Sequence, residues 1–220
     1  FVKGACPNCG ASDQYGDVCE VCGKTYEPTD LQAPYSVLTG SKPVLRSSDH
    51  LFVSLSDFTE FLREWTETPG TLQPSVRNFV KGWIEGGLRD WCISRDAPYF
   101  GFQIPGEPGK FFYVWVDAPI GYISSTDAWA QKRGTPERVD DLWRAGNMRL
   151  VHVIGKDIVY FHTLFWPAML KTAGLKVPDR VHVHGFLTVE GEKMSKTRGT
   201  FVNARTFREH LDPMYLRWFY

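Results

Sequence analysis

Several features that place a protein in a simple class are missing from this sequence. No run of about 18 apolar residues occurs, so no membrane-spanning helix is expected. Basic and acidic residues balance at 25 each, so no overall positive field attracts nucleic acid, and any RNA contact must come from local patches. No signal-peptide pattern is visible. The 43% hydrophobic fraction is ordinary for a globular protein, and 220 residues allow one large or two small domains.

The two ends of the chain also lack the usual features. The chain begins at Phe1 rather than at a methionine, and it stops at Tyr220, inside what we interpret as an apolar helix. We therefore expect an internal piece of a longer protein.

Cysteine is scarce except at the start, where four of the five cysteines lie. Cys6 and Cys9 form one C-x-x-C pair, and Cys19 and Cys22 form a second pair nine residues later. Two such pairs at short range supply four thiolates for one tetrahedral ion, and four cysteine ligands leave no open position for a substrate. The pattern predicts one structural zinc per chain. Two disulfides in a secreted domain, or a redox pair, are the alternatives.

Apolar runs and helical periodicity predict an α/β fold. Apolar runs at 111–116, 150–154 and 181–183 are typical of buried parallel strands, and long helical stretches separate them. Such a sheet is expected to be covered on both faces. Nearer the start, we predict strands at 43–46 and 50–53, a helix from Asp57 to Glu67 capped by Ser56, and a helix from Pro74 to Glu85.

Ligands bind at the carboxyl ends of strands in parallel sheets, so the residues after each strand are candidates for chemistry. Gly155 and Asp157 open a helix after one strand, where a glycine allows close approach and an acid suits a ribose hydroxyl pair. Asp157 as a plain helix N-cap is the alternative. The first strand end predicts a pocket for a slim apolar side chain, with ordinary core packing as the alternative. Its residues are Trp115, Ala118, Pro119 and Tyr122.

The segment Lys193-Met194-Ser195-Lys196-Thr197 holds two lysines three residues apart, with hydroxyls on either side of the second. It follows a strand-like run and Gly185. We interpret it as an anion clamp whose ligand is a nucleoside triphosphate.

Taken together, these segments resemble the methionyl-tRNA synthetases, which are class I aminoacyl-tRNA synthetases. Several class I enzymes share the lysine loop, and the other segments, in this order with the cysteine pairs, narrow the resemblance to the methionine enzyme. The family's His-Ile-Gly-His signature does not occur here. The segments that carry the resemblance are the two cysteine pairs, Asp90–Gly101, Tyr113–Tyr122, Gly155–His162 and Lys193–Thr197.

The resemblance implies an α/β fold: the second half of a Rossmann-like parallel-sheet nucleotide-binding fold, plus an inserted connective domain with a four-cysteine zinc knuckle. The implied domains are the zinc knuckle at 1–35, the rest of the connective domain at 36–110, the half-fold at 111–186, and the lysine loop with the start of a helical region at 187–220.

The resemblance also implies site residues and partners. Lys193 and Lys196 would be catalytic, and Trp91 and Arg95 would close the site. The implied partners are methionine, ATP with Mg²⁺ and tRNA(Met), in the cytoplasm, with no membrane and no DNA. The implied ATP-binding residues are Gly155, Asp157, His184, Lys193, Met194, Ser195 and Lys196. The implied methionine-binding residues are Trp115, Ala118, Pro119, Tyr122, Ile158, Phe161 and His162.

Other interpretations stay open on the sequence alone. A structural role is the default for a histidine such as His162. The segment 91–95 also suits class I synthetases for branched-chain amino acids, and a non-catalytic zinc-binding RNA module is a third hypothesis. We expect the isolated chain to be inactive, because the missing half of the fold supplies essential contacts.

Overall fold

The computed structural model describes residues 2–22, 24–185, 188–189, 191–194 and 201–219. The chain forms two compact units, Phe1–Asp49 and His50–Tyr220. The fold is a mixture of helices and short strands, as the α/β prediction requires.

Five short strands make up the first unit: β1 (Val2–Ala5), β2 (Gln14–Tyr15), β3 (Asp17–Val18), β4 (Thr25–Tyr26) and β5 (Gln32–Ser36). Strands β2, β1 and β5 form one antiparallel sheet in that order, and β3 pairs with β4. Few side chains are buried among the described residues of this unit, and two of these belong to cysteines. Apolar burial is therefore too small to hold this unit together by itself.

The predicted strand at 43–46 is wrong. These residues have no regular structure, and Val44 and Leu45 are 82% and 84% exposed. Pro43 offers no backbone N–H, and no described strand lies alongside to bury the two apolar side chains. The next prediction is confirmed in its last two residues, which form β6 (Phe52–Val53).

A helical hairpin follows, formed by α1 (Thr59–Glu67) and α2 (Pro74–Glu85). The predicted bounds of α2 are confirmed, with the proline at its first position. The predicted start of α1 is wrong by two residues, because a 3₁₀ turn at Leu55–Phe58 precedes it. The Ser56 side chain does not cap α1. Instead, the Ser56 carbonyl accepts a hydrogen bond from Thr59 Oγ1 at 2.6 Å.

Two antiparallel ladders come next. Strand β7 (Trp91–Cys92) pairs with β6, and β8 (Ser94–Asp96) pairs with β9 (Lys110–Phe112). The prediction of a parallel strand at 111–116 is therefore wrong in two respects: the strand ends at Phe112, and it pairs antiparallel with its neighbour. After Phe112 the backbone N–H of Tyr113 donates to Ile93 O at 2.8 Å, and the chain turns into a short helix, α3 (Val114–Asp117). The apolar run continues because α3 is also partly buried.

The remaining part of the second unit contains a parallel strand pair. Strands β10 (Val151–Gly155) and β11 (Arg180–His184) align over five residues, from Val151 opposite Arg180 to Gly155 opposite His184. The prediction of parallel strands separated by helices is confirmed for this pair. The elements are α4 (Ile120–Lys132), α5 (Arg138–Trp143), β10 (Val151–Gly155), α6 (Trp166–Thr172) and β11 (Arg180–His184).

The two faces of this pair differ. Ile154 and Val181 are buried in a core shared with the helices α1, α2 and α6. Val151 and Val153 point to the other face and are 41% and 67% exposed, as expected from the alternation of side chains along a strand. Within the described residues, the prediction of a sheet covered on both faces is therefore wrong: one face is covered.

The chain ends with a hairpin and two helices: β12 (Thr188–Val189), β13 (Glu192–Lys193), α7 (Ala204–His210) and α8 (Pro213–Phe219). The Asn203 side chain caps α7 by accepting a hydrogen bond from Arg205 N at 2.9 Å. Among the described residues, no helix is long and apolar enough to cross a membrane.

Candidate active site and metal centre

The four predicted metal ligands lie together. The sulfur atoms of Cys6, Cys9, Cys19 and Cys22 all lie within 4.8 Å of one another. The Sγ–Sγ distances are 3.9 Å from Cys6 to Cys22 and 3.7 Å from Cys9 to Cys19. Four sulfurs around a tetrahedral ion at about 2.3 Å stand about 3.8 Å apart. The cluster therefore fits one metal ion, and these separations are too long for a disulfide bond.

The backbone of the two cysteine turns follows one pattern. The N–H of Cys6 donates to Ala11 O at 2.8 Å, and the N–H of Cys19 donates to Lys24 O at 2.9 Å. Gly10, directly after the first pair, has φ +73°, which a glycine adopts without strain. The corresponding Gly23 lies outside the described residues.

The cysteine thiols influence one another's ionisation. A backbone hydrogen bond from Lys24 and the amide of Asn8 lower the pKa of Cys22 to about 6. The Ala11 backbone lowers the pKa of Cys9, but burial and the neighbouring sulfurs outweigh it and raise that pKa to about 12. Cys9 is therefore a thiol at neutral pH, and a bound cation would be needed for all four sulfurs to carry a negative charge together.

Three of the predicted nucleotide-binding residues meet at the ends of β10 and β11. Gly155 is the register partner of His184. A Cβ atom at Gly155 would lie 2.6 Å from Asp157 Oδ1 and 3.8 Å from His184 Cε1. The carboxylate of Asp157 therefore lies over the Gly155 backbone, in space that only a glycine leaves free. Asp157 belongs to a 3₁₀ turn, Lys156–Ile158, whose N-cap is Gly155.

The predicted anion clamp falls largely outside the described residues. Ser195 and Lys196 lie there, and only the backbone of Lys193 is described, in β13 opposite Thr188. Met194 is half-buried.

Four of the seven predicted methionine-binding residues lie in one aromatic cluster. Trp115 stacks on Phe161 with ring centroids 4.2 Å apart and planes 9° apart. The ring of His162 meets the Trp115 ring edge-on at 6.0 Å. Tyr122 Oη lies 2.9 Å from His162 Nε2. Phe161 and His162 belong to a π-helical turn, Phe161–Phe165, a local widening of the helix that is frequent at functional sites.

The protonation of His162 follows from its partners. Its Nδ1 donates to Ile158 O at 3.0 Å, because a carbonyl only accepts. Burial lowers the pKa of His162 although this hydrogen bond raises it, so the ring is neutral and its Nε2 accepts from the Tyr122 hydroxyl. Ile158 thus contributes a carbonyl that fixes the tautomer of His162.

Ala118 and Pro119 lie between α3 and α4. Ala118 is exposed and lines a groove of about 430 Å³ beside Phe102 and Phe112. Pro119 is buried, and its carbonyl accepts from the N–H of Tyr122 at 3.1 Å. Neither residue has a described contact with the stacked pair of Trp115 and Phe161.

The two predicted closing residues, on β7 and β8, pack on Phe165 and Tyr113, whose rings are neighbours of the Phe161 ring. Trp91 is buried and stacks on Phe165 with centroids 3.8 Å apart and planes 2° apart. The guanidinium of Arg95 lies 3.9 Å from the ring centroid of Tyr113 and donates to Ser94 O at 2.8 Å.

Sequence reasoning missed His152 and Trp166, which lie beside the same cluster. His152 is 5% exposed, and its Nε2 accepts from Trp166 Nε1 at 3.1 Å. Its ring lies 4.6 Å from that of Tyr122. Burial, followed by the charge of His162, lowers the pKa of His152 to about 4. The sequence did contain a signal for the burial of His152. Side chains alternate between the two faces of a strand, and His152 lies two residues before Ile154, so both point to the same buried face.

The second unit thus combines a glycine and an acid at the ends of parallel strands with a neighbouring aromatic cluster. The first unit, described by itself, carries the four-cysteine cluster. A family model described as tRNA synthetases class I (M) matches residues 1–220. The chain belongs to this family of class I tRNA synthetases.

Individual relatives are methionine enzymes. The chain is 56% identical to Methionine--tRNA ligase 1 of Sorangium cellulosum (strain So ce56), over 100% of this chain and 32% of the relative. It is similar to two structures of Mycobacterium tuberculosis methionyl-tRNA synthetase with methionyl-adenylate. One has a TM-score of 0.67 and 33% identity, over 84% of this chain and 35% of that one. The other has a TM-score of 0.69 and 32% identity, over 89% and 38%. The chain therefore spans about a third of the length of these relatives.

Proposed function

We propose that these 220 residues act within a full-length methionine-tRNA ligase, an enzyme that activates methionine with ATP and transfers it to tRNA(Met). The observation that carries the proposal is the hydrogen-bonded pair of Tyr122 and His162 beside Trp115 and Phe161. Family membership and the methionyl-adenylate bound by two similar enzymes support it. In this proposal the full-length enzyme acts in the cytoplasm, where it binds its tRNA.

In this proposal the aromatic cluster holds the methionine side chain. A thioether packs favourably against aromatic rings and is a weak hydrogen-bond acceptor. Trp115 and Phe161 enclose the methionine side chain, and Tyr122 and His162 contact its sulfur end. The Tyr122 hydroxyl donates its hydrogen bond to His162 Nε2. Ala118, Pro119 and Ile158 complete the wall, and Trp91 and Arg95 close it.

The ends of β10 and β11 hold ATP. Gly155 permits close approach of the ribose, Asp157 accepts hydrogen bonds from its hydroxyls, and His184 borders the adenine. The segment Lys193–Lys196, with Met194 and Ser195, contacts the triphosphate, which arrives with Mg²⁺. Lys193 and Lys196 are the catalytic residues, since they neutralise the charge that develops on the phosphates.

Catalysis then consists of positioning and charge stabilisation. A carboxylate oxygen of methionine attacks the α-phosphorus, the bond from that phosphorus to the bridging oxygen breaks, and pyrophosphate leaves with the electron pair. In the second step a ribose hydroxyl of the tRNA 3′ end attacks the methionyl carbonyl carbon and loses its proton, and AMP leaves.

The metal centre of the first unit is structural zinc in this proposal, with one ion held by four cysteines. The sulfur spacing supports a closed tetrahedral site. Because the first unit buries few apolar side chains, a bound metal ion would supply much of its stability. We also propose that 1–35 is the zinc knuckle, 36–110 the rest of a connective domain, 111–186 the second half of a Rossmann-like fold, and 187–220 the lysine loop with the following helices.

Amino-acid-dependent ATP–pyrophosphate exchange tests the function. The full-length enzyme is expected to exchange label with methionine and not with isoleucine or valine. Exchange with isoleucine or valine and none with methionine would sink the proposal. The isolated 220-residue chain is expected to show no aminoacylation, because the other half of the proposed fold supplies essential contacts. Turnover by the isolated chain would refute the proposal that the site is built from both halves.

A further inference from the structure

One edge of β11 pairs with β10, and its other edge is closed by the loop that precedes α2. The N–H of Val181 donates to Thr71 O at 2.9 Å. Two residues later, the N–H of Val183 donates to Gln73 Oε1 at 2.7 Å, and Gln73 Nε2 donates to Val183 O at 3.0 Å. A glutamine amide carries the same donor and acceptor as a peptide group, so this side chain replaces a neighbouring strand at Val183.

The position of Gln73 in its own helix makes this use of the side chain unusual. Gln73 is the N-cap residue of α2, where Ser, Thr, Asp and Asn are preferred because their side chains bond the first turn. The Gln73 side chain makes no such bond. Its amide is directed instead to a strand 110 residues away.

The bonded residue adjoins the nucleotide end of the site. Val183 directly precedes His184, and His184 is the register partner of Gly155. The carboxylate of Asp157 lies over the backbone of Gly155. The Gln73 bonds therefore hold the last backbone groups of β11 before the strand ends. A strand end without such partners frays, and the residues placed on it lose their fixed positions.

We propose that Gln73 is a positioning residue for the ATP end of the site, acting through the backbone of Val183 on His184. This inference rests on the proposed function and adds a residue to it. Gln73 does not touch ATP. It couples the helical hairpin of α1 and α2 to the strand end at which the nucleotide is held.

The test is Gln73→Leu in the full-length enzyme, which keeps the size of the side chain and removes both hydrogen bonds. The KM for ATP in methionine-dependent pyrophosphate exchange is expected to rise about five- to tenfold, the effect of losing two hydrogen bonds that are worth about two- to threefold each. The KM for methionine is expected to change by less than about twofold. Gln131→Leu is the matched control, because Gln131 is exposed on α4 and its side chain donates to Asp127 of the same helix.

Gln73→Glu is a second variant, in case the leucine variant does not fold. The carboxylate still accepts from the N–H of Val183 but no longer donates to its carbonyl, so the KM for ATP is expected to rise about threefold or more. A merely structural role would lower the melting temperature and the active fraction without changing the ratio of the two KM values. An unchanged ratio in both variants, or a larger rise for methionine, overturns the inference. Absence of methionine-dependent exchange in the unmutated enzyme would instead overturn the proposed function.

Discussion

Acid is expected to destabilise the second unit through His152. This ring is 5% exposed, it accepts a hydrogen bond from Trp166 Nε1, and its centroid lies 4.6 Å from that of Tyr122 and 5.5 Å from that of His162. A protonated ring would lose the lone pair that accepts from Trp166 and would place a charge beside His162. Burial, followed by the charge of His162, lowers its pKa from 6.5 to about 4.

The sign and size of the effect follow from linkage. The unfolded chain binds a proton at His152 as the pH falls through 6.5, whereas the folded chain does so only near 4. The contribution to stability is fully present above pH 6.5 and is lost progressively as the pH falls towards 4. The loss is about 2 kcal/mol at pH 5 and about 3 kcal/mol at pH 4. Burial also lowers the pKa of His162, so this residue adds a loss in the same direction.

Urea denaturation at pH 7 and pH 5 measures this effect, with His152→Gln as the perturbation. A glutamine oxygen still accepts from Trp166 but does not titrate, so the variant is expected to lose about 2 kcal/mol less than the unmutated protein between the two pH values. His210→Gln, at an exposed position on α7, is the control and is expected to keep the unmutated difference. Equal losses in the His152 variant and the unmutated protein would refute the reasoning.

Three further predictions concern the site and the metal centre. Tyr122→Phe leaves the buried His162 Nε2 without a hydrogen-bond donor, so the KM for methionine is expected to rise about tenfold while the KM for ATP changes little. A rise in the KM for ATP alone would contradict the assignment. Gly155→Ala places a Cβ atom 2.6 Å from Asp157 Oδ1, so the KM for ATP is expected to rise about tenfold. Gly82→Ala meets nothing within 4 Å and is the control for it. Cys22→Ser is expected to reduce zinc, measured by elemental analysis, from about one ion per chain to near zero, and retained zinc would exclude the four-cysteine site.

Local patterns were sufficient where a short segment determines its own structure. The bounds of α2 follow from Pro74 at its start and from Gly86 and Gly87, which directly follow its last residue. The cysteine cluster follows from two C-x-x-C pairs at short range, and the parallel strands β10 and β11 follow from apolar runs separated by helices. For α2 and the cysteine cluster the residues that decide the structure are close together in the sequence, and for β10 and β11 each strand is marked by its own local apolar run.

Prediction failed where distant partners decide the structure. The run from Phe111 to Val116 contains no turn residue, and its change from strand to helix depends on the hydrogen bond of Tyr113 to Ile93. The partnership of Gln73 with Val183 spans 110 residues and leaves no local pattern. The position of His152 was readable in principle, but its hydrogen bond with Trp166 depends on how α6 packs against β10.

A crystal structure of the full-length enzyme with methionyl-adenylate tests the central claim most directly. We expect the methionine side chain to lie against Trp115 and Phe161, with its sulfur beside Tyr122 and His162. The ribose hydroxyls are expected within hydrogen-bond distance of the Asp157 carboxylate. A methionine side chain without contact to Trp115 and Phe161, or a ribose without contact to Asp157, would contradict the account.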